Sequence, residues 1–92
     1  MKYGMEVLNP NIDFEIRNNE LLIKLDIPEQ NFNMLEFNAP IFKDGKLNYQ
    51  DGWLIQLEKR GNVYAFSVGG EYLGDIHEKD IIPSLKEVLT IL

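Results

Sequence analysis

Cysteine is absent, and the 92 residues include one histidine, one tryptophan and four prolines. Without thiols there is no disulfide framework, thiolate metal site or cysteine nucleophile, so an apolar core has to hold the fold unaided. Hydroxyl nucleophiles are nearly as scarce. Ser67, Ser84 and Thr90 are the whole set, and neither serine is framed by the glycine elbow that exposes a catalytic serine. Gly69-Gly70 is followed neither by the Lys-Ser/Thr of a P-loop nor by the helix of a dinucleotide-binding turn, and a hairpin turn accounts for it. The sequence thus predicts no enzyme and no cofactor.

Positive charge is also in deficit: nine Lys and Arg face fifteen Asp and Glu, a net charge of −6. Such a surface repels the phosphates of nucleic acid and anionic lipid, so neither is an expected partner. A basic protein suits it electrostatically. No stretch approaches the roughly 20 apolar residues of a membrane span, and no cationic segment followed by an apolar one opens the chain, so the expected location is the cytoplasm. Ten Ile, nine Asn and seven Lys suggest an AT-rich gene of the bacterial or phage kind. What is present is an ordinary globular composition, 45% hydrophobic and 26% charged. At this length that means one domain over residues 1–92.

Ile12, Phe14 and Ile16 alternate with Asp13, Glu15 and Arg17, and Leu21, Ile23, Leu25 and Ile27 resume the alternation beyond Asn18-Asn19. Period two marks strands with one buried face, and asparagine tolerates the positive φ of a two-residue turn. The implied register sets Ile16, Phe14 and Ile12 opposite Leu21, Ile23 and Leu25, with Arg17 facing Glu20 and Asp13 facing Lys24 on the other side. A second hairpin runs through Trp53, Ile55 and Leu57, turns at Gly61-Asn62, and returns through Tyr64, Phe66 and Val68. It pairs Leu57 with Phe66 and Ile55 with Val68, while Gln56 and Glu58 face Ser67 and Ala65. Gly69-Gly70 then reverses the chain into a third strand, 71–76, whose register is open by one residue.

Between these hairpins the pattern weakens. Pro28 and Pro40 bracket a strand over 34–39, expected at an edge or irregular because proline donates nothing to a ladder. Asp44-Gly45 and Asp51-Gly52 read as turns, making Leu47 to Tyr49 a short arm or loop. Tyr3, Met5 and Val7 suggest a first strand. The chain closes with a helix capped by Asp80, with Pro83 in its first turn. Ile81, Ile82, Leu85, Val88, Leu89 and Leu92 fill an arc of about 120° on one face. That stripe needs an apolar partner, which only the sheet offers. The predicted fold is an α+β two-layer sandwich: an antiparallel meander of about five to six strands with one C-terminal helix packed on one face.

Two groups stand out as binding candidates. Glu71, Tyr72, Asp75 and Glu78 lie together late in the chain, and Asp44, Tyr49 and Asp51 lie in the weakly patterned middle. Phe32, Phe37 and Phe42 share that middle region. Aromatics among carboxylates suit a cationic protein surface, since tyrosine anchors interfaces and opposite charge speeds encounter. The leading expectation is a binding module that inhibits a basic protein, such as an immunity protein or antitoxin neutralising a nuclease. A second is a structural or regulatory domain, monomeric or homodimeric through a sheet edge. A third is a small metal-dependent domain using Asp75, His77, Glu78 and Asp80, although that spacing matches no established ligand motif. Leu22 and Leu54 point away from the inner face in these registers, so a second apolar surface is expected, covered by the segment Tyr3 to Val7 or by another chain.

Overall fold

A computed structural model describes residues 7–27 and 32–90. Among them the chain forms β1 (Val7–Leu8), β2 (Asn11–Arg17), β3 (Glu20–Asp26), β4 (Met34–Lys43), β5 (Lys46–Arg60), β6 (Val63–Val68) and β7 (Glu71–His77), then a 3-10 turn (Glu78–Asp80) and α1 (Ile81–Thr90). The α+β two-layer architecture with one C-terminal helix is the fold the alternation implied. Five strands make one sheet in the order β1-β4-β5-β6-β7, and β2 and β3 pair with each other alone. All pairings are antiparallel except the short parallel contact of β1 with Met34 and Leu35 of β4.

The first hairpin has the expected register over its full length, from Arg17 opposite Glu20 to Asn11 opposite Asp26. Its turn requires positive φ at both central residues, and Asn18 and Asn19 adopt 54° and 64°. Asn19→Val should therefore lower stability by about 1–2 kcal/mol, the cost of forcing a side chain other than Asn or Gly into the left-handed region. Urea unfolding followed through the sole tryptophan measures it. The second hairpin also pairs as expected, with Leu57 opposite Phe66 and Ile55 opposite Val68.

The third strand runs one residue further, to His77, and its register slips. Ser67 pairs with Tyr72 but Phe66 with Gly74, so Leu73 is an extra residue that bulges the edge strand. Gly74, at φ 134°, takes a conformation that side chains disfavour.

The middle of the chain departs further from expectation. β4 does not stop at 39 but continues through Pro40 to Lys43. It is no simple edge strand either, lying between β1 and β5, though β1 covers only its first two residues. The Asn33 carbonyl accepts from Lys59 on the β5 side, and the Glu36 carbonyl accepts the Asn9 side-chain amide on the opposite side. By alternation the Pro40 nitrogen faces that opposite side, where no strand pairs among the described residues, so its missing N–H breaks no ladder bond. Across from Pro40 the register jumps from Ala39–Trp53 to Ile41–Asn48. Tyr49 to Gly52 thus form a four-residue excursion of β5 rather than a turn ending a strand. Asn48 Oδ1 holds it by accepting the backbone N–H groups of Gln50 (3.0 Å) and Asp51 (3.2 Å). Beyond it, Lys46 to Asn48 pair with Ile41 to Lys43 as a short arm closed by Asp44-Gly45.

The inner face of the large sheet carries Leu35, Phe37, Ile55, Leu57, Tyr64 and Phe66, all buried in one cluster with Leu21 of β3 and Ile81, Leu85 and Leu89 of α1. Helix and hairpin together make the second layer, α1 packing against β4 and β3. The expected helical stripe is the buried one; Leu92 and all but Val7 of the strand expected over Tyr3 to Val7 lie outside the described residues, and Val7 itself is in β1. Asp80 does precede the helix, but its carboxylate forms no capping bond among the described residues. The 3-10 turn takes up that role, with the Ile81 N–H donating to the Glu78 carbonyl.

Candidate binding surface

Of the late acidic group, Tyr72 and Asp75 are directly joined. Tyr72 Oη donates to Asp75 Oδ1 at 2.7 Å, across the Leu73 bulge. The bond to the carboxylate, aided by slight burial and by the charge of Asp75, raises the Tyr72 phenol above the ordinary tyrosine range against the opposing pull of Arg60. Tyr72 stays a neutral donor at physiological pH. It is 56% exposed and Leu73 50% exposed, so the β7 edge presents an apolar pair next to Glu71 and Asp75. Glu78 follows at the strand's end. It lines an open groove of about 550 Å³ between the end of β3 and the start of α1, with Leu25, Ile27 and Ile81 among its neighbours. Its charge also adds to the burial that raises the phenol of Tyr64 on the inner face.

The middle group sits on the arm and its excursion. Tyr49 is 66% exposed, and Asp51 accepts from the Asn48 side-chain amide at 3.2 Å. Asp44 occupies the arm's turn at φ 54°. Two lysines share this tip, because Lys43 pairs directly with Lys46. The arm is therefore electrically mixed, whereas Glu71, Asp75 and Glu78 outnumber the nearby cations Arg60 and Lys79. No hydrogen bond or ion pair joins the two groups among the described residues. The candidate residues thus divide into an acidic β7 group and a charge-balanced arm.

Three of the aromatics considered with them are not exposed at all or only partly so: Phe32 and Phe37 are buried and Phe42 is half-buried. Phe32 is held under Lys59, whose Nζ lies 5.0 Å from the ring centroid. The metal reading also loses its geometry. Strand and 3-10 turn disperse Asp75, His77, Glu78 and Asp80, and among the described residues no group of three or more His, Asp or Glu converges as a metal site requires.

The alternation already sent Leu54 away from the core, and it is 37% exposed. Leu22 points the same way on the hairpin and is half-buried. Leu73 had no such signal, because its exposure depends on the bulge. No helix among the described residues is long and apolar enough to cross a membrane. Compared with protein-family models, curated proteins and solved structures, the chain matches none.

Proposed function

We propose that the chain is a small acidic protein-binding module that inhibits a basic protein, in the manner of an immunity protein or antitoxin neutralising a bacterial nuclease. The observation that carries this reading is the exposed pair Tyr72 and Leu73 on β7, set among Glu71, Asp75 and Glu78. Apolar and aromatic side chains supply the desolvated anchor of an interface, and the surrounding carboxylates steer a cationic partner onto it. An inhibitor of this kind needs no catalytic group of its own. Pairing of two copies through β7 is the less favoured use of the same edge, since a bulge twists an edge strand away from an incoming partner.

The test compares the wild-type chain with the double variant Glu71→Lys, Asp75→Lys, each immobilised and exposed to lysate of the source organism at low and moderate salt. A basic protein retained in stoichiometric amount by the wild type, released by salt and lost from the variant is the expected outcome. Association of that protein with the variant should be slower by tenfold or more at low salt, on the order expected for lost electrostatic steering, and flatter in salt dependence. Retention of a neutral protein, or equal retention by both chains, would contradict the proposal.

A further inference from the structure

Each edge of the large sheet carries something that hinders a further strand. On β7 the Leu73 bulge breaks the regular spacing. On the β4 side the edge is taken by β1, by the Asn9 side chain on the Glu36 carbonyl and by Pro40, which has no N–H to donate. The β2–β3 hairpin differs. Its strands pair over their full length without a register shift and hold no proline. α1 packs against β3, and where Ile16 of β2 stands opposite Leu21 of β3, Leu21 is buried and Ile16 only half-buried. β2 is therefore the open side of the second layer, and among the described residues no strand pairs with its outer edge.

The turn decides which backbone groups that edge offers. A two-residue turn closes on a hydrogen-bonded pair, here Arg17 with Glu20, and such pairs recur at every second residue. The N–H and C=O groups of Arg17, Glu15, Asp13 and Asn11 thus bond to β3, while those of Ile16, Phe14 and Ile12 point outward. An edge this regular is a template for another strand. The side chains of β2 itself favour an antiparallel copy of β2. Centred on Phe14, such a copy would set Asp13 against Glu15 at both ends. Centred on Glu15, it sets Asp13 against Arg17 of the second copy at both ends and Phe14 against Ile16, so that outward backbone groups meet outward ones. The two Glu15 side chains then face each other, but each already lies 3.2 Å from Arg17 of its own chain, and a guanidinium has donors enough for two carboxylates.

We infer that two copies of the chain pair antiparallel through β2 in this second register, joining their hairpins into one sheet ordered β3-β2-β2-β3. A two-fold axis passes between the Glu15 residues, so each Asp13 meets an Arg17 of the other copy. β7 belongs to the other sheet, so this pairing stands or falls independently of a basic protein binding there.

The test combines sedimentation of the full chain over a range of concentrations with amide hydrogen exchange. A monomer–dimer equilibrium is expected, in which exchange at Phe14 and Ile16 slows as concentration rises, while Asp13 and Glu15, bonded to β3 in both states, change little. Asp13→Arg and Arg17→Asp, both at exposed positions, should each weaken the dimer about tenfold or more, because each sets like charges opposite one another at both ends. Mixing the two variants should restore association, since the acids of one chain then face the bases of the other, a rescue that a mere folding defect would not show. A monomer at every concentration, slowed exchange at β7 instead of β2, or a mixture no more associated than either variant alone would each overturn the inference.

Discussion

Leu85→Ala should cost the protein about 2–5 kcal/mol, the range for emptying a fully buried leucine site. Leu85 is 0% exposed at the centre of the helical stripe, between Ile81 and Leu89, which are also buried. α1 packs against both β3 and β4, so the lost methyl groups leave a cavity between layers rather than a dent at the surface. A domain of this size commonly has only about 5–14 kcal/mol of net stability, so the loss is a large share of the whole. Urea unfolding followed by Trp53 fluorescence measures it, because Trp53 packs against the same core from β5. A change below about 0.5 kcal/mol, as surface sites give, would contradict the helix packing.

Gly52→Ala should be comparably damaging for a different reason. A Cβ at this position would overlap the Ala39 carbonyl oxygen and sit 3.1 Å from its carbon. Both are backbone atoms of β4, so no side-chain rotation relieves the overlap. The excursion from Tyr49 to Gly52 closes back onto the ladder at Trp53, opposite Ala39, and the close approach occurs at that closure. An alanine there forces the strands apart or unseats the excursion, at about 2–4 kcal/mol, as for other severe backbone conflicts. The same unfolding measurement applies, and amide shifts should spread along Ala39 to Ile41 and Asn48 to Trp53. Wild-type stability in the variant would refute the closure.

These two sites also mark where the sequence was readable and where it was not. Leu85 sits in an unbroken helical period, and burial follows from that period alone. Both two-residue hairpins were equally legible, because alternation on two faces and a turn of fixed length leave one register. Gly52 was legible only as a turn residue: the Asp51-Gly52 dipeptide signals a change of direction, but not that the change is a bulge opposite Pro40 within one continuous strand. The Leu73 bulge was hidden likewise, since an inserted residue breaks period two without a composition of its own. That β2 and β3 form a separate sheet depends on contacts between distant segments, which local patterning does not encode.

For the candidate surface, composition pointed to the acids and tyrosines but not to their division. Lys43 and Lys46 neutralise the arm only once β4 and β5 are paired.

A basic protein should bind at β7, over the exposed Tyr72 and Leu73. The most direct measurement is amide hydrogen exchange of the full chain, free and saturated with the basic protein that it retains. Partner-induced protection confined to Val63–His77 and the facing residues of β5 is the predicted result. Protection centred on the β2–β3 hairpin or the arm, with β6 and β7 unchanged, would contradict it.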